Sequence, residues 1–242
     1  MVGIHSMICC FTKLKRDKVE HYVPKSCGQK PTTDNSPFGW TVLLGTGHFY
    51  RRCVGTLINS VFVLTAAHCV NEVEPHEITL YFGQVPVREL PQCLEHDHCL
   101  KASGLQLWKH PGFNSSTNIF NVAVIETNLN KDSILRYPNI GIYPICLPLN
   151  ATDEDTQIEK RHILRPRIYD TTNGIQEACG YSGAPIVVLD NEKRYHVVGV
   201  ANHPVDCDRK RVKRDATPLM EYVDWILSVL PEGREEPETI KD

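Results

Sequence analysis

Leu64-Thr65-Ala66-Ala67-His68-Cys69 is the stretch from which the rest of the chain can be read. The run leading into it, Val61-Phe62-Val63-Leu64, is β-branched and aromatic, the composition of a strand packed on a core. It delivers the backbone into two alanines, small enough for a tight turn, and then into a histidine beside a cysteine. An imidazole held on such a turn can point into a cleft, and it is the side chain that exchanges a proton near neutral pH. Cys53 stands sixteen residues before Cys69, across a second run with strand character, Val54 to Ile58. A Cys53–Cys69 bridge would pin the histidine's loop to that strand. A solvated loop histidine beside a structural disulfide explains the same residues without any chemistry. Two further stretches decide between the readings.

These are Asn121-Val122-Ala123-Val124-Ile125 and Gly180-Tyr181-Ser182-Gly183-Ala184-Pro185. With the first, they resemble in order the histidine, acid and serine segments of the chymotrypsin-like serine proteases, whose nucleophile motif reads GDSGGP. The chain order His, acid, Ser is the chymotrypsin one among unrelated versions of this triad. The resemblance implies an all-β fold of two antiparallel barrels with a short C-terminal helix. It also implies peptide-bond hydrolysis by Ser182 with His68 as its base.

Composition bounds the rest. At 242 residues the chain can form one large all-β domain or two small ones around a sizeable core. A net charge of −3 offers no global field for nucleic acid or a membrane surface, and neither is expected as a partner. No apolar run reaches the length of a membrane span. Ten cysteines without a CxxC pair suit an oxidising compartment. The sequons Asn114-Ser115-Ser116 and Asn150-Ala151-Thr152 fit secretion and mark Asn114 and Asn150 as glycan acceptors. Met1 to Phe11 has no basic leader and only a broken apolar stretch, so a start upstream of Met1 is expected.

Taken in order, residues 1–11 end in Cys9-Cys10, adjacent cysteines that cannot easily bond each other. They resemble the end of an arthropod clip domain, a disulfide knot; two unpaired cysteines of an artefactual leader is the other reading. Residues 12–39 are polar, proline-containing and aperiodic, a linker or pro-segment. Within them, Cys27 resembles the cysteine that tethers the family's propeptide, with Cys146 as its implied partner. The family then continues with a basic residue and an IVGG-like sequence, whose freed amino terminus pairs with the aspartate before the serine. Here Lys30 precedes Pro31, nothing like IVGG occurs before Trp40, and Tyr181 replaces the aspartate.

Residues 40–231 form the expected protease domain. Short strands are predicted at Trp40–Leu44, Cys53–Ile58, Val61–Thr65, Glu77–Phe82, Gly104–Trp108 and Asn121–Thr127, spaced as in an antiparallel barrel. Cys93-Leu94-Glu95-His96-Asp97-His98-Cys99 carries two cysteines and two histidines, but the spacing is unlike structural zinc sites. A Cys93–Cys99 disulfide is expected instead, with no metal and no cofactor. The 32 residues from 147 to 178 are roughly half of what the family has there, so a shortened second barrel is expected; a skipped exon is the competing account. One strand is predicted within it, His162–Tyr169, followed by strands at Ala184–Leu189 and Tyr195–Ala201 and a helix around Tyr222–Ile226. The resemblance includes Cys179 and Cys207 among the bridged cysteines. Residues 232–242 form an acidic tail expected to be disordered.

The resemblance puts Asn121 where the family has an aspartate that fixes the histidine's tautomer and stabilises its imidazolium. An asparagine amide can present its oxygen or its NH₂ and carries no charge either way. In this family that exchange lowers kcat by roughly 10⁴, about 5 kcal/mol of barrier. The oxyanion hole would use the main-chain N–H groups of Gly180 and Ser182. Cys179 stands three residues before Ser182, one fewer than the family keeps. By the same resemblance Glu177 falls at the specificity-pocket floor, and Pro204, Asp206 and Arg214 fall where the family has wall glycines. Arg214 can reach Glu177 and fill the cavity, or point to water. Residues 209–214 carry five positive charges in six positions, a polyanion site or a solvated loop. The expectation is a secreted, non-catalytic serine protease homologue, an adaptor or cofactor for a partner protease or its protein substrate in an extracellular cascade. The alternative is an active serine endopeptidase using Ser182 and His68.

Overall fold

β-Branched and aromatic runs in the first half of the chain become six antiparallel strands: β1 (Thr41–Thr46), β2 (Phe49–Leu57), β3 (Phe62–Thr65), β4 (Ile78–Phe82), β5 (Leu100–Lys109) and β6 (Ala123–Thr127). In the computed structural model they close into a barrel in the order β1-β2-β3-β6-β5-β4. Closure follows from β1, which pairs with β2 on one side and β4 on the other and leaves no free edge. The structure describes residues 24, 26–29, 39–46, 49–83, 90–96, 98–129, 140–149, 162–163, 169–170, 176–177, 182–202 and 216–230.

Strand β4 shows the two-residue period plainly. Ile78, Leu80 and Phe82 are buried in the barrel while Thr79 and Tyr81 lie between them, half-exposed. β1 is buried on both faces, because Leu43 turns outward onto a second small core of Cys93 and Cys99. Those cysteines are bonded and close a loop begun by the helix α1 (Leu90–Glu95). Each fully buried Leu, Ile or Phe of the barrel contributes roughly 1.5–3 kcal/mol over its exposed state.

The second half differs. Strands β7 (His162–Ile163), β8 (Tyr169–Asp170), β9 (Gln176–Glu177), β10 (Pro185–Leu189), β11 (Tyr195–Ala201) and β12 (Ala216–Pro218) form two groups. Among the described residues these are a four-stranded antiparallel sheet, β12-β11-β10-β7, and a separate β8-β9 ribbon. The expected shortening of the second barrel falls on residues 147–178, most of which lie outside the described residues. At the ends of the strand predicted over His162–Tyr169, β7 pairs with β10 and β8 with β9, while residues 164–168 lie outside the described residues. The chain ends its described part in α2 (Val223–Val229), which buries Val223, Ile226 and Leu227 at helical spacing.

Cys27 is bonded to Cys146 and belongs to the main core. The Gly28 N–H donates to the Pro144 carbonyl, and the Tyr195 N–H donates to the Gly28 carbonyl. Gly28 sits at φ +66°, and a Cβ there would collide with the Tyr195 backbone, so only glycine fits. Trp40 completes this corner, fully buried between the rings of Tyr143 and Tyr195.

Candidate active site

Strand β3 ends at Thr65, and the chain turns through Ala66 and Ala67, both fully buried, into a short 3-10 turn over Ala67–Val70. Only small side chains let the backbone turn against the barrel wall there. His68 emerges half-buried from that turn, and the Cys53–Cys69 bond ties it to β2. The ligand atoms of Cys53, His68 and Cys69 lie within 4.8 Å of one another. Both sulfurs are spent in the disulfide, so they offer no thiolate to a metal.

Asn121 is fully buried just before β6 and meets His68 across 53 residues of sequence. Its Oδ1 accepts the His68 main-chain N–H at 2.9 Å. Its Nδ2 lies 2.8 Å from His68 Nδ1, closer than Oδ1 at 3.2 Å. A main-chain N–H only donates, so the amide oxygen must face it and the NH₂ must face the ring. The orientation left open by the sequence is settled by the histidine's own backbone. Nδ2 also donates to Oδ1 of Asn202 at 3.2 Å, and the Thr217 hydroxyl donates to that same oxygen at 2.6 Å. Asn202 and Thr217, both buried, escaped the sequence reading. The one available signal was the place of Asn202 at the end of β11.

Ser182 is buried, 3% exposed, on the neighbouring segment. Its backbone pairs in parallel with Cys53, and its carbonyl accepts the Val54 N–H at 2.8 Å. Since Cys53 is bonded to Cys69, one residue of β2 joins the serine's segment to the histidine's. Gly183 follows at φ +82°, and its N–H donates to the Ala201 carbonyl at 2.8 Å. A Cβ on Gly183 would strike the Val54 carbonyl and the Thr65 hydroxyl. That hydroxyl donates to the same carbonyl at 2.8 Å. The Ser182-Gly183 turn is therefore sewn between β2 of the barrel and β11 of the sheet.

The loop of residues 110–120 rims Asn121. The His110 ring stacks on Phe120 at 4.9 Å and meets Tyr222 and Trp225 edge-on. Burial among these rings lowers the His110 pKa, and its Nδ1 accepts the Gly112 N–H at 3.1 Å. Phe120 holds φ +54°, an uncommon conformation for a bulky side chain. Asn114, at the loop tip, is exposed, and its Oδ1 accepts the N–H groups of Ser116 and Thr117.

On the far side of the sheet, His196 Nε2 lies 2.8 Å from the Asp190 carboxylate. Burial pulls the Asp190 pKa up, but the Arg194 N–H and His196 outweigh it and hold the carboxyl below the ordinary value of 3.8.

Of the other expected site residues, Glu177 is described only as the end of β9, paired with Tyr169. Gly180, Tyr181, Cys179, Cys207, Pro204, Asp206, Arg214, Asn150, Cys9, Cys10 and the 209–214 run lie outside the described residues. Among the described residues no helix is long and apolar enough to cross a membrane.

Comparison with known proteins agrees with the fold. The chain is 29% identical to coagulation factor XII of Bos taurus over 141 residues, 53% of this chain and 22% of that protein. It is 24% identical to mannan-binding lectin serine protease 1 of Mus musculus, over 90% of this chain and 36% of that one. It is 26% identical to snake venom serine protease 2C of Craspedocephalus gramineus, over 76% of this chain and 79% of that one. The chain thus spans only about a fifth to a third of the first two relatives. Among solved structures, the Drosophila Grass clip serine protease of the Toll pathway superposes with a TM-score of 0.57 at 16% identity. That match covers 87% of this chain and 77% of the other. The trypsin family model matches residues 26–161, more than half of the chain, and ends before the nucleophile segment. With the closed barrel and the histidine turn in place, that match shows that the chain belongs to the trypsin family of serine proteases.

Proposed function

We propose that this chain is a secreted serine protease homologue of impaired catalysis, acting as an adaptor or cofactor in an extracellular proteolytic cascade. The observation that carries the reading is the 2.8 Å approach of the Asn121 amide nitrogen to His68 Nδ1. A neutral donor stands where a carboxylate would have to stabilise the imidazolium formed as His68 takes the Ser182 proton. Loss of that charge alone removes roughly 10⁴ in kcat. Tyr181, the missing IVGG-like sequence, and Pro204 and Arg214 in the pocket act in the same direction. The near-complete burial of Ser182 fits as well.

Relatives named for coagulation, for mannan-binding lectin and for the Toll pathway support the cascade setting, with a partner protease or its protein substrate as the bound class. In the same reading Asn114 and Asn150 carry N-linked glycans; residues 209–214 form a solvated basic loop or a polyanion site, and Cys9-Cys10 is the end of a clip-type knot or a pair of unbonded leader cysteines.

The test is labelling of the folded, secreted protein with a fluorophosphonate probe, with Ser182→Ala as control. No labelling is expected. Labelling that disappears in the control would establish an active serine endopeptidase using Ser182 and His68, and would overturn this reading.

A further inference from the structure

We propose that the N-linked sugar on Asn114 packs its first ring against Ile119, covering an apolar side chain that the loop tip otherwise leaves in water. The inference rests on the secreted, glycosylated setting of the proposed function and is independent of whether Ser182 is active.

Residues 110–120 fold back on themselves as a hairpin. The His110 N–H donates to the Val122 carbonyl at its base, and the Asn114 N–H donates to the Ile119 carbonyl near its tip. The Asn114 carbonyl accepts the Asn118 N–H, and Asn118 closes the turn at φ +54°. The Asn114 Oδ1 accepts the N–H groups of Ser116 and Thr117. Main-chain donor, main-chain acceptor and side-chain oxygen of Asn114 are thus all engaged in holding the tip. Among the described residues only its Nδ2 is left without a partner, and Nδ2 is the atom that carries an N-linked glycan. Glycosylation forms one bond from Nδ2 to the anomeric carbon of the sugar, while an Nδ2 proton and the lipid diphosphate that carried the sugar depart. No hydrogen bond of the turn is broken by that exchange.

The Asn114–Ile119 bridge is antiparallel, and residues directly opposite in such a pair point to one face with Cβ atoms about 4.5–5.5 Å apart. Ile119 is 54% exposed. Phe120, which follows it, already has one face on the His110 ring. Ile119 is therefore the apolar surface that a group rooted on the Asn114 side chain meets first. An N-acetylglucosamine ring offers C–H groups as well as hydroxyls and is fixed to Nδ2 by one bond, so it loses little further freedom on reaching Ile119. Covering about half of an isoleucine is an effect of roughly 2–4 °C in Tm for a domain of this size. A protein partner would then approach the loop that rims Asn121 over carbohydrate instead of a bare apolar side chain.

The experiment uses the secreted protein with Asn150→Gln throughout, so that Asn114 heads the one sequon left. Ser116→Ala then removes the hydroxyl that the sequon needs and keeps the Ser116 N–H that Asn114 Oδ1 accepts. Mass spectrometry of the peptide holding Asn114 should find it occupied, and bare in Ser116→Ala; a bare Asn114 in both overturns the proposal. Thermal unfolding should place the glycosylated form about 2–4 °C above Ser116→Ala. Ile119→Ser should remove at least half of that difference, whereas Leu189→Ser, at an equally exposed apolar residue of β10, should leave it intact. Trimming the glycan with an endoglycosidase to its first N-acetylglucosamine should preserve the difference, a measurement that needs no change at Ile119. An absent difference, one that survives Ile119→Ser or falls equally in Leu189→Ser, or one that vanishes on trimming overturns the contact. The two readings fail separately. Probe labelling with the Ile119 coupling intact sinks the impaired reading alone, and no labelling with no coupling sinks this one alone.

Discussion

Substituting Gly183 by alanine tests whether the nucleophile turn is held as tightly as its packing requires. Gly183 sits at φ +82°, where an L side chain is strained by roughly 1–2 kcal/mol. The new Cβ would also press on the Val54 carbonyl and the Thr65 hydroxyl, both fixed in one hydrogen bond between barrel strands. Overpacking of that kind costs about 1–3 kcal/mol. Against it stands the lost freedom of the unfolded chain, which favours alanine by about 0.4–1 kcal/mol. The net expectation is a loss of about 1–4 kcal/mol. For a domain of this size each kcal/mol lowers Tm by roughly 2–4 °C, so a drop of about 2–16 °C is expected. Gly45 supplies the control, because its added Cβ would find only ordinary contacts, the nearest at 3.5 Å. Gly45→Ala, near the end of β1, should be neutral or stabilising by up to about 1 kcal/mol. The assay is thermal unfolding of both variants, with denaturant melts to compare slopes. A Gly183→Ala protein that melts with the unsubstituted chain, or with Gly45→Ala, would refute the reasoning.

Two further outcomes are expected. Burial depresses the His110 pKa below 6.5, so the folded state binds this proton less well than the unfolded one. Its contribution to stability is complete above pH 6.5 and is lost as pH falls through the lower, folded value; denaturant melts between pH 7.5 and 5 should show the loss, and His110→Phe should reduce it. Removing the Cys27–Cys146 bond, which spans 119 residues, by the paired change to alanine should cost on the order of 4–5 kcal/mol on the chain-entropy account. An unchanged denaturation midpoint would show that the tether adds nothing to the core it enters.

Much of the first barrel was legible because its signals are local. The runs around Val61–Thr65 and Glu77–Phe82 carry strand composition within themselves, and β3 and β4 lie there. Elements without such a signal were missed. Helix α1 has six residues, fewer than two turns, so no period can show. Strand β12 is Ala-Thr-Pro, with a single β-favouring residue in three, and is a strand because β11 pairs with it. Within the predicted His162–Tyr169 stretch both described ends are strand, but composition there could not tell that they pair with different strands, β10 and β9.

By itself, the sequence determined which chemical groups stand at the site: a histidine on a tight turn, a serine before an obligatory glycine, and a neutral amide in place of a carboxylate. Those are covalent facts, and no folding alters them. Only the tertiary structure decided what the amide does. Asparagine's two ends have nearly the same shape and opposite hydrogen-bonding roles, so its orientation is chosen by its neighbours. Those neighbours are a main-chain N–H 53 residues away and a carboxamide 81 residues away, brought together where Asn121, just before β6, meets the turn after β3 and the residue after β11.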